Sequence, residues 1–213
     1  MPSRAEIVSF DDSPPPPGAD PWVPGAAPAD GIEVTEPDPA WPRQYDDLAA
    51  RIRQALGWRV LQLEHVGSTS VPGLAAKPVI DIDLTVADPD RERDYVPALE
   101  AIGFRLVIRE PWWYGHRALA ADGPRCNLHV FGFDSPEPLR HRIFRDWLRG
   151  NPAERERYAA TSARPRPWPT RRESTSCSTT PASSRSSGRS TTPPGCGGSR
   201  RADGLICMRP SGF

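Results

Sequence analysis

His65-Val66-Gly67-Ser68-Thr69-Ser70-Val71-Pro72-Gly73-Leu74-Ala75-Ala76-Lys77-Pro78-Val79-Ile80-Asp81-Ile82-Asp83-Leu84 is the stretch on which the reading of this 213-residue chain turns. It reads as a strand end, a glycine turn, a short helical segment and then a strand that carries two acids. From Val79 to Val86 the residues alternate, and Val and Ile are strand formers. A period of two sets Asp81 and Asp83 side by side on one face. Neighbouring carboxylates repel, so a divalent, oxygen-ligated ion such as Mg²⁺ is their natural partner. The plainer alternative, a polar face of an exposed strand, is disfavoured because like charges without a basic neighbour destabilise a sheet. Upstream, Gly67-Ser68 lets backbone approach a ligand, and the N–H groups that follow can face an anion. Phosphate at the turn and metal at the acids is the equipment of phosphoryl or nucleotidyl transfer.

A hydrophobic residue, Gly-Ser, a spacer and Asp-hydrophobic-Asp resembles the signature of the DNA polymerase β-type nucleotidyltransferase superfamily. More narrowly, His65 to Thr69, Val71 to Pro78 and Ile80-Asp81 resemble the GrpB family. The resemblance implies an α+β fold, a nucleotidyltransferase-like mixed β-sheet flanked by helices. It also implies metal-dependent transfer of a nucleotidyl group from a nucleoside triphosphate to an acceptor, small molecule or otherwise. Asp81 and Asp83 would then be catalytic and metal-holding. The alternative is a non-catalytic member that binds a nucleotide or phosphorylated ligand. GrpB-like domains are also fused to dephospho-CoA kinases, which opens an accessory role around coenzyme A metabolism.

Composition bounds the rest. A hydrophobic content of 37% and 27 prolines are poor figures for a wholly globular chain, so part of it is expected to be unstructured. Net charge is zero, which gives no general attraction to nucleic acid or to a membrane surface. The four cysteines include no CxxC pair, so neither a zinc site nor a disulfide framework is indicated. No apolar run reaches membrane length and the N-terminus lacks a signal pattern, so a cytoplasmic location is expected.

Three regions follow. Residues 1–31, with Pro14 to Pro17 in one run, read as a disordered arm of polyproline character. Residues 32–160 read as the domain. Within it, Ile32 to Val34 is expected as a short edge strand, and Asp46 to Leu56 as a helix with Gly57 as its stop. Val60 to Val66 is expected as a strand, then Tyr95 to Ile102 as a helix, and Phe104 to Arg109 and Arg125 to Phe131 as strands. Leu139 to Leu148 has the apolar spacing of a helix, and Pro152 starts another that carries Tyr158. Residues 161–213 are rich in Ser, Thr, Pro, Arg and Gly, with almost no acids. They read as a low-complexity tail, or as the product of a reading-frame error. Residues 177–192 can be back-translated so that the neighbouring frame encodes Gln-Tyr-Asn-Ala-Arg-Lys-Gln-Pro-Val-Ile-Arg-Glu-Ile-Tyr-Asp, which has a helical apolar pattern. That peptide resembles the closing helix of GrpB-type proteins, so the frameshift reading is preferred.

Further candidates surround the acid pair. Gly67, Ser68, Thr69 and Ser70 are candidate phosphate-binding residues, although the two hydroxyls of Thr69 and Ser70 suit capping of the segment equally well. Lys77 is the only lysine in the chain, and its compact charge suits phosphate. His65 is expected to be a packed, hydrogen-bonded core residue. Superfamily members usually supply a third carboxylate from a later strand, but Arg125 to Phe131 offers none. His129, Asn127 or Glu110 would have to occupy that place. Arg117 and Arg125 are candidates for triphosphate binding or for plain surface roles. Trp112, Trp113 and Tyr114 suit either base stacking or the core.

Overall fold

The alternation around the acid pair becomes the second strand of a five-stranded sheet in a computed structural model that describes residues 1–9, 15–27 and 31–162. The strands are β1 (Gln62–Val66), β2 (Ile80–Val86), β3 (Arg105–Glu110), β4 (His116–Asp122) and β5 (Arg125–Gly132). Their order is β1-β2-β5-β4-β3. β2 and β5 run parallel, and every other neighbouring pair is antiparallel. A parallel pair needs a long crossover, and here β3 and β4 are built within it. The sheet is therefore mixed, as the irregular spacing of strands and helices in the sequence implies.

Among the described residues five α-helices accompany it: α1 (Arg4–Val8), α2 (Trp41–Leu56), α3 (Val96–Glu100), α4 (Glu137–Gly150) and α5 (Pro152–Ser162). α2 begins earlier than apolar spacing alone suggests, because Pro42 lies in its first turn, where a missing N–H costs nothing. Its buried residues Leu48, Ala49, Ile52 and Leu56 pack with Ile80, Ile82 and Leu84 of β2 and Leu128 and Val130 of β5. Leu99 of α3 and Phe104 join that core. The alternation that sends these residues to one side sends Asp81, Asp83, Asn127 and His129 to the other. One face of the sheet carries stability and the opposite face carries the polar residues.

One expectation changes. Ile32 to Val34 forms no strand; pairing in this region is a single bridge between Thr35 and Ala76, and Pro37 and Pro39 keep it from lengthening. Composition reads residues 1–31 as a disordered arm, yet the described parts of it carry defined contacts. α1 is closed by a capping box between Ser3 and Glu6. Val23 N–H donates to the Val107 carbonyl at 3.0 Å, and Arg109 N–H to the Pro21 carbonyl at 2.8 Å. Backbone pairing of this kind covers the edge strand β3 without needing apolar periodicity. The tail and its proposed frame error lie outside the described residues. Among the described residues no helix is long and apolar enough to cross a membrane.

Leu128 is fully buried in β5, so Leu128→Ala leaves a cavity under the central strands. A loss of about 2–5 kcal/mol is expected, measured as a lower urea midpoint.

Candidate functional site

β1 delivers the chain to Gly67, which has φ +67°. A Cβ here would stand 2.2 Å from Asp81 Oδ2. Glycine is therefore required twice, by its backbone angle and by the carboxylate against it. Ser68–Ser70 then form one 3-10 turn. The Thr69 hydroxyl donates to the Val79 carbonyl at 3.1 Å, and the Ser70 hydroxyl to the Gly67 carbonyl at 2.6 Å. These two side chains brace the turn from within. Ser68 is half-buried, with its Oγ 3.4 Å from the Tyr158 hydroxyl of α5. His65 is buried, stacks on Tyr45 with ring centroids 4.7 Å apart, and meets the Thr69 hydroxyl at 3.1 Å.

Asp81 and Asp83 are both buried, at 7% and 1% exposure. The parallel register sets Asp81 beside Asn127 and Asp83 beside His129. Asn127 Nδ2 donates to Asp81 Oδ1 at 3.0 Å. Burial pushes the Asp81 carboxyl up to about 7; the Asn127 bond opposes this rise and the charge of Asp83 adds to it. Asp83 Oδ2 meets His141 Nδ1 at 2.8 Å. Burial alone would lower the His141 pKa, but the charge and hydrogen bond of Asp83, with Glu137 and Asp81, raise it to about 8. Asp83 Oδ1 is buried with no hydrogen-bond partner.

A second row of polar groups crosses the same face. Glu110 Oε2 lies 2.9 Å from His116 Nδ1, and His116 Nε2 lies 3.1 Å from His129 Nδ1. His129 Nε2 stands 4.0 Å from Asp81 Oδ1. Glu110 thus stands beyond two imidazoles from the acids, not next to them. Arg117 is committed elsewhere, to Glu92 at 2.6 Å and Asp90 at 2.8 Å. Lys77 and Arg125 are exposed. Arg125 lines a cavity of about 320 Å³, shared with Trp22 and Asn127; neither acid of the pair lines it. Trp113 is packed edge-on against His116 and Phe131.

Sequence reasoning found helix α4 but missed its polar face. Glu137, His141, Arg145 and Arg149 recur every four residues, so they share one helical face. His141 reaches Asp83. Arg145 donates to the His65 carbonyl at 2.8 Å and to Glu64 at 3.0 Å, and Arg149 to the Ser70 carbonyl at 2.7 Å. The four-residue spacing of basic side chains was the available signal, and the apolar pattern drew attention away from it. Of the expected apolar face, Leu148 is buried but Ile143 and Trp147 are 52% and 55% exposed. The helix is turned so that its charged stripe meets the sheet.

Among the described residues no three His, Cys, Asp or Glu side chains form a ready-made metal cage. Mg²⁺, however, commonly takes one or two carboxylates and completes its shell with water and ligand phosphates. Two adjacent buried carboxylates with one unpartnered oxygen fit that requirement in donor type and number.

The mixed sheet, the glycine turn and the acid strand together match a known protein family. Residues 31–165 match the family model described as "GrpB protein". The chain belongs to the GrpB family. It is 52% identical over 128 residues to a UPF0157 protein of Halalkalibacterium halodurans, covering 60% of this chain and 66% of that protein. A crystal structure of the conserved protein GrpB from Enterococcus faecalis superposes with a TM-score of 0.55 and 38% identity, covering 60% of this chain and 78% of that one. The chain is also 30% identical over 155 residues to a dephospho-CoA kinase of Mycolicibacterium paratuberculosis, of which the match covers 38%.

Gly67→Ala forces a methyl into the Asp81 carboxylate at a positive φ. A loss of about 1–3 kcal/mol is expected in denaturant unfolding. For His65, burial, followed by the charges of Arg149 and Arg145, holds the pKa down to about 4, against an ordinary 6.5. Between those values the unfolded chain binds a proton that the folded chain refuses. This contribution to stability is therefore full above about pH 6.5 and declines as pH falls toward 4, by up to ~3 kcal/mol. The raised Asp81 acts in the opposite direction. The readout is accordingly the difference in urea midpoint between wild type and His65→Gln across that window, which should narrow on acidification.

Proposed function

We propose that this GrpB protein carries a nucleotidyltransferase-like site that moves a nucleotidyl group from a nucleoside triphosphate to an acceptor hydroxyl. The observation that carries the reading is the buried pair Asp81 and Asp83, with one oxygen unpartnered, packed against the glycine turn. Asp81 and Asp83 would hold Mg²⁺. When bound, that ion would neutralise charge on the transferring phosphoryl group. Gly67 brings backbone close to the carboxylates without a side chain in the way. Ser68 presents its hydroxyl at the turn, while Arg145 and Arg149 add positive charge on the flank of α4. In this reading the protein contributes mainly positioning and fixed charge.

A second reading, binding without transfer, is favoured by one observation. β5 presents Asn127 and His129 beside the acids where a third carboxylate would serve catalysis. The similarity to a dephospho-CoA kinase gives this reading a direction, an accessory role on a phosphorylated ligand of coenzyme A chemistry.

Thermal unfolding of the full chain with Mg²⁺ and each nucleoside triphosphate tests the proposal. A ligand at 100 times its dissociation constant stabilises the folded state by about 2.7 kcal/mol. A metal-dependent rise in Tm with a triphosphate, absent in Asp81→Asn, is expected. Pyrophosphate release on addition of acceptor candidates then separates transfer from binding. No stabilisation by any triphosphate would overturn the nucleotide site.

A further inference from the structure

Ser68, Thr69 and Ser70 bring three hydroxyls to the glycine turn, and the turn itself consumes two of them. Thr69 donates to the Val79 carbonyl and Ser70 to the Gly67 carbonyl. Ser68 stands apart. Among the described residues its Oγ meets one polar group, the Tyr158 hydroxyl at 3.4 Å. Well-formed bonds between hydroxyls lie at about 2.7–2.8 Å, so this contact is weak. It also uses only one of the two hydroxyl hydrogens, since each group carries a single donor. Neither side chain is sealed away: Ser68 and Tyr158 are both half-buried.

Tyr158 is held in place by its ring. The ring packs edge-on to Phe144 of α4, with centroids 5.3 Å apart, and lies against the buried cluster of Val71, Leu74 and Leu148. That packing uses only the ring, and phenylalanine would supply it equally well. Tyrosine hydroxyls in such places usually find a good partner, but this one has only the long contact to Ser68. Its location supplies a use for it. Ser68 follows Gly67, where a Cβ would stand 2.2 Å from Asp81 Oδ2. Arg145 and Arg149 reach the same turn, donating to the His65 and Ser70 carbonyls at 2.8 and 2.7 Å. Two spare hydroxyls are thus presented beside two guanidinium groups. A bond from a hydroxyl to an ionised phosphate oxygen is shorter and roughly twice as strong as one between neutral groups. Such an oxygen would readily displace the weak contact between Ser68 and Tyr158.

We propose that the Tyr158 hydroxyl is a ligand-binding group that joins Ser68 in donating to a phosphate oxygen of the triphosphate. This rests on the glycine turn being a phosphate site. It extends that site from the turn and the acid strand to α5, a helix that otherwise serves only packing. The ring fixes the hydroxyl in advance, so little freedom is lost when the ligand arrives.

The test uses the full chain in the presence of Mg²⁺, titrated by calorimetry with inorganic triphosphate, with ATP and with adenosine. Tyr158→Phe removes one oxygen and keeps the ring, so the Tm without ligand should stay close to wild type. Its affinity for inorganic triphosphate should fall about ten-fold or more, as for the loss of a hydrogen bond to a charged group. Its affinity for ATP should fall by the same factor. Replacing the four tyrosines by 3-fluorotyrosine gives a second readout that needs no substitution. The fluorine resonance of position 158 should shift with inorganic triphosphate and not with adenosine. Unchanged triphosphate affinity in Tyr158→Phe, or a silent position 158, would overturn the inference and leave the turn and the acid pair as the phosphate site. A loss confined to ATP would overturn the assignment to phosphate. Failure of wild type to bind either triphosphate would overturn the nucleotide site as well.

Discussion

Two carboxylates buried side by side in the middle of a sheet create a debt of charge that the surrounding structure has to balance. Asp81 and Asp83 point away from the apolar core, yet helix α4 and the rest of that face shut water out. Each acid has acquired a different partner. Asp81 is held by the Asn127 amide and lies against Gly67, and its proton affinity rises; Asp83 has the His141 imidazole on one oxygen only. The arrangement leaves the pair incompletely compensated. Structures keep such unfinished polar groups at sites where a ligand completes them more readily than in a core selected only for packing.

The parallel pairing of β2 with β5 is what makes the arrangement possible. Antiparallel neighbours can be closed by a tight turn, but this parallel pair forces β3 and β4 into the crossover. The excursion brings Glu110 and His116 onto the face where Asn127 and His129 already stand beside the acids. Topology therefore gathers six polar side chains from four strands onto one face. On the other side of the same strands, Ile80, Ile82, Leu128 and Val130 form an uninterrupted apolar core with α2. The division between stability and chemistry runs through the plane of the sheet.

How much of this the sequence revealed depends on the range of the interaction. The acid strand, the glycine turn and helix α2 were legible, because each rests on periods or spacings within a few residues. The strand from Arg125 and the helices near Leu139 and Pro152 were legible for the same reason. The link from Glu110 to His129 was not, since it depends on the register of three strands and no local pattern encodes register. His141 was overlooked because it lies 58 residues beyond Asp83 and meets it only through the fold. The pairing of the described residues 21–23 with β3 was illegible for another reason. The composition there is that of an unstructured chain, but pairing with an open strand edge recruits backbone groups that every residue except proline supplies in full.

Helix α4 touches the two halves of the site at once. His141 meets the acid strand, while Arg145 and Arg149 grip the carbonyls of His65 and Ser70 on either side of the glycine turn. A single rigid rod thereby sets both the height of the acids and the reach of the turn. Changes on that rod and changes in the turn cannot be independent in their effects, because each alters the frame in which the other is measured. Divergence within such a site is expected to proceed by paired substitutions, with the helix and the turn drifting together and isolated exchanges in either one penalised. The history of this fold would then be written in compensated pairs across β1 and α4.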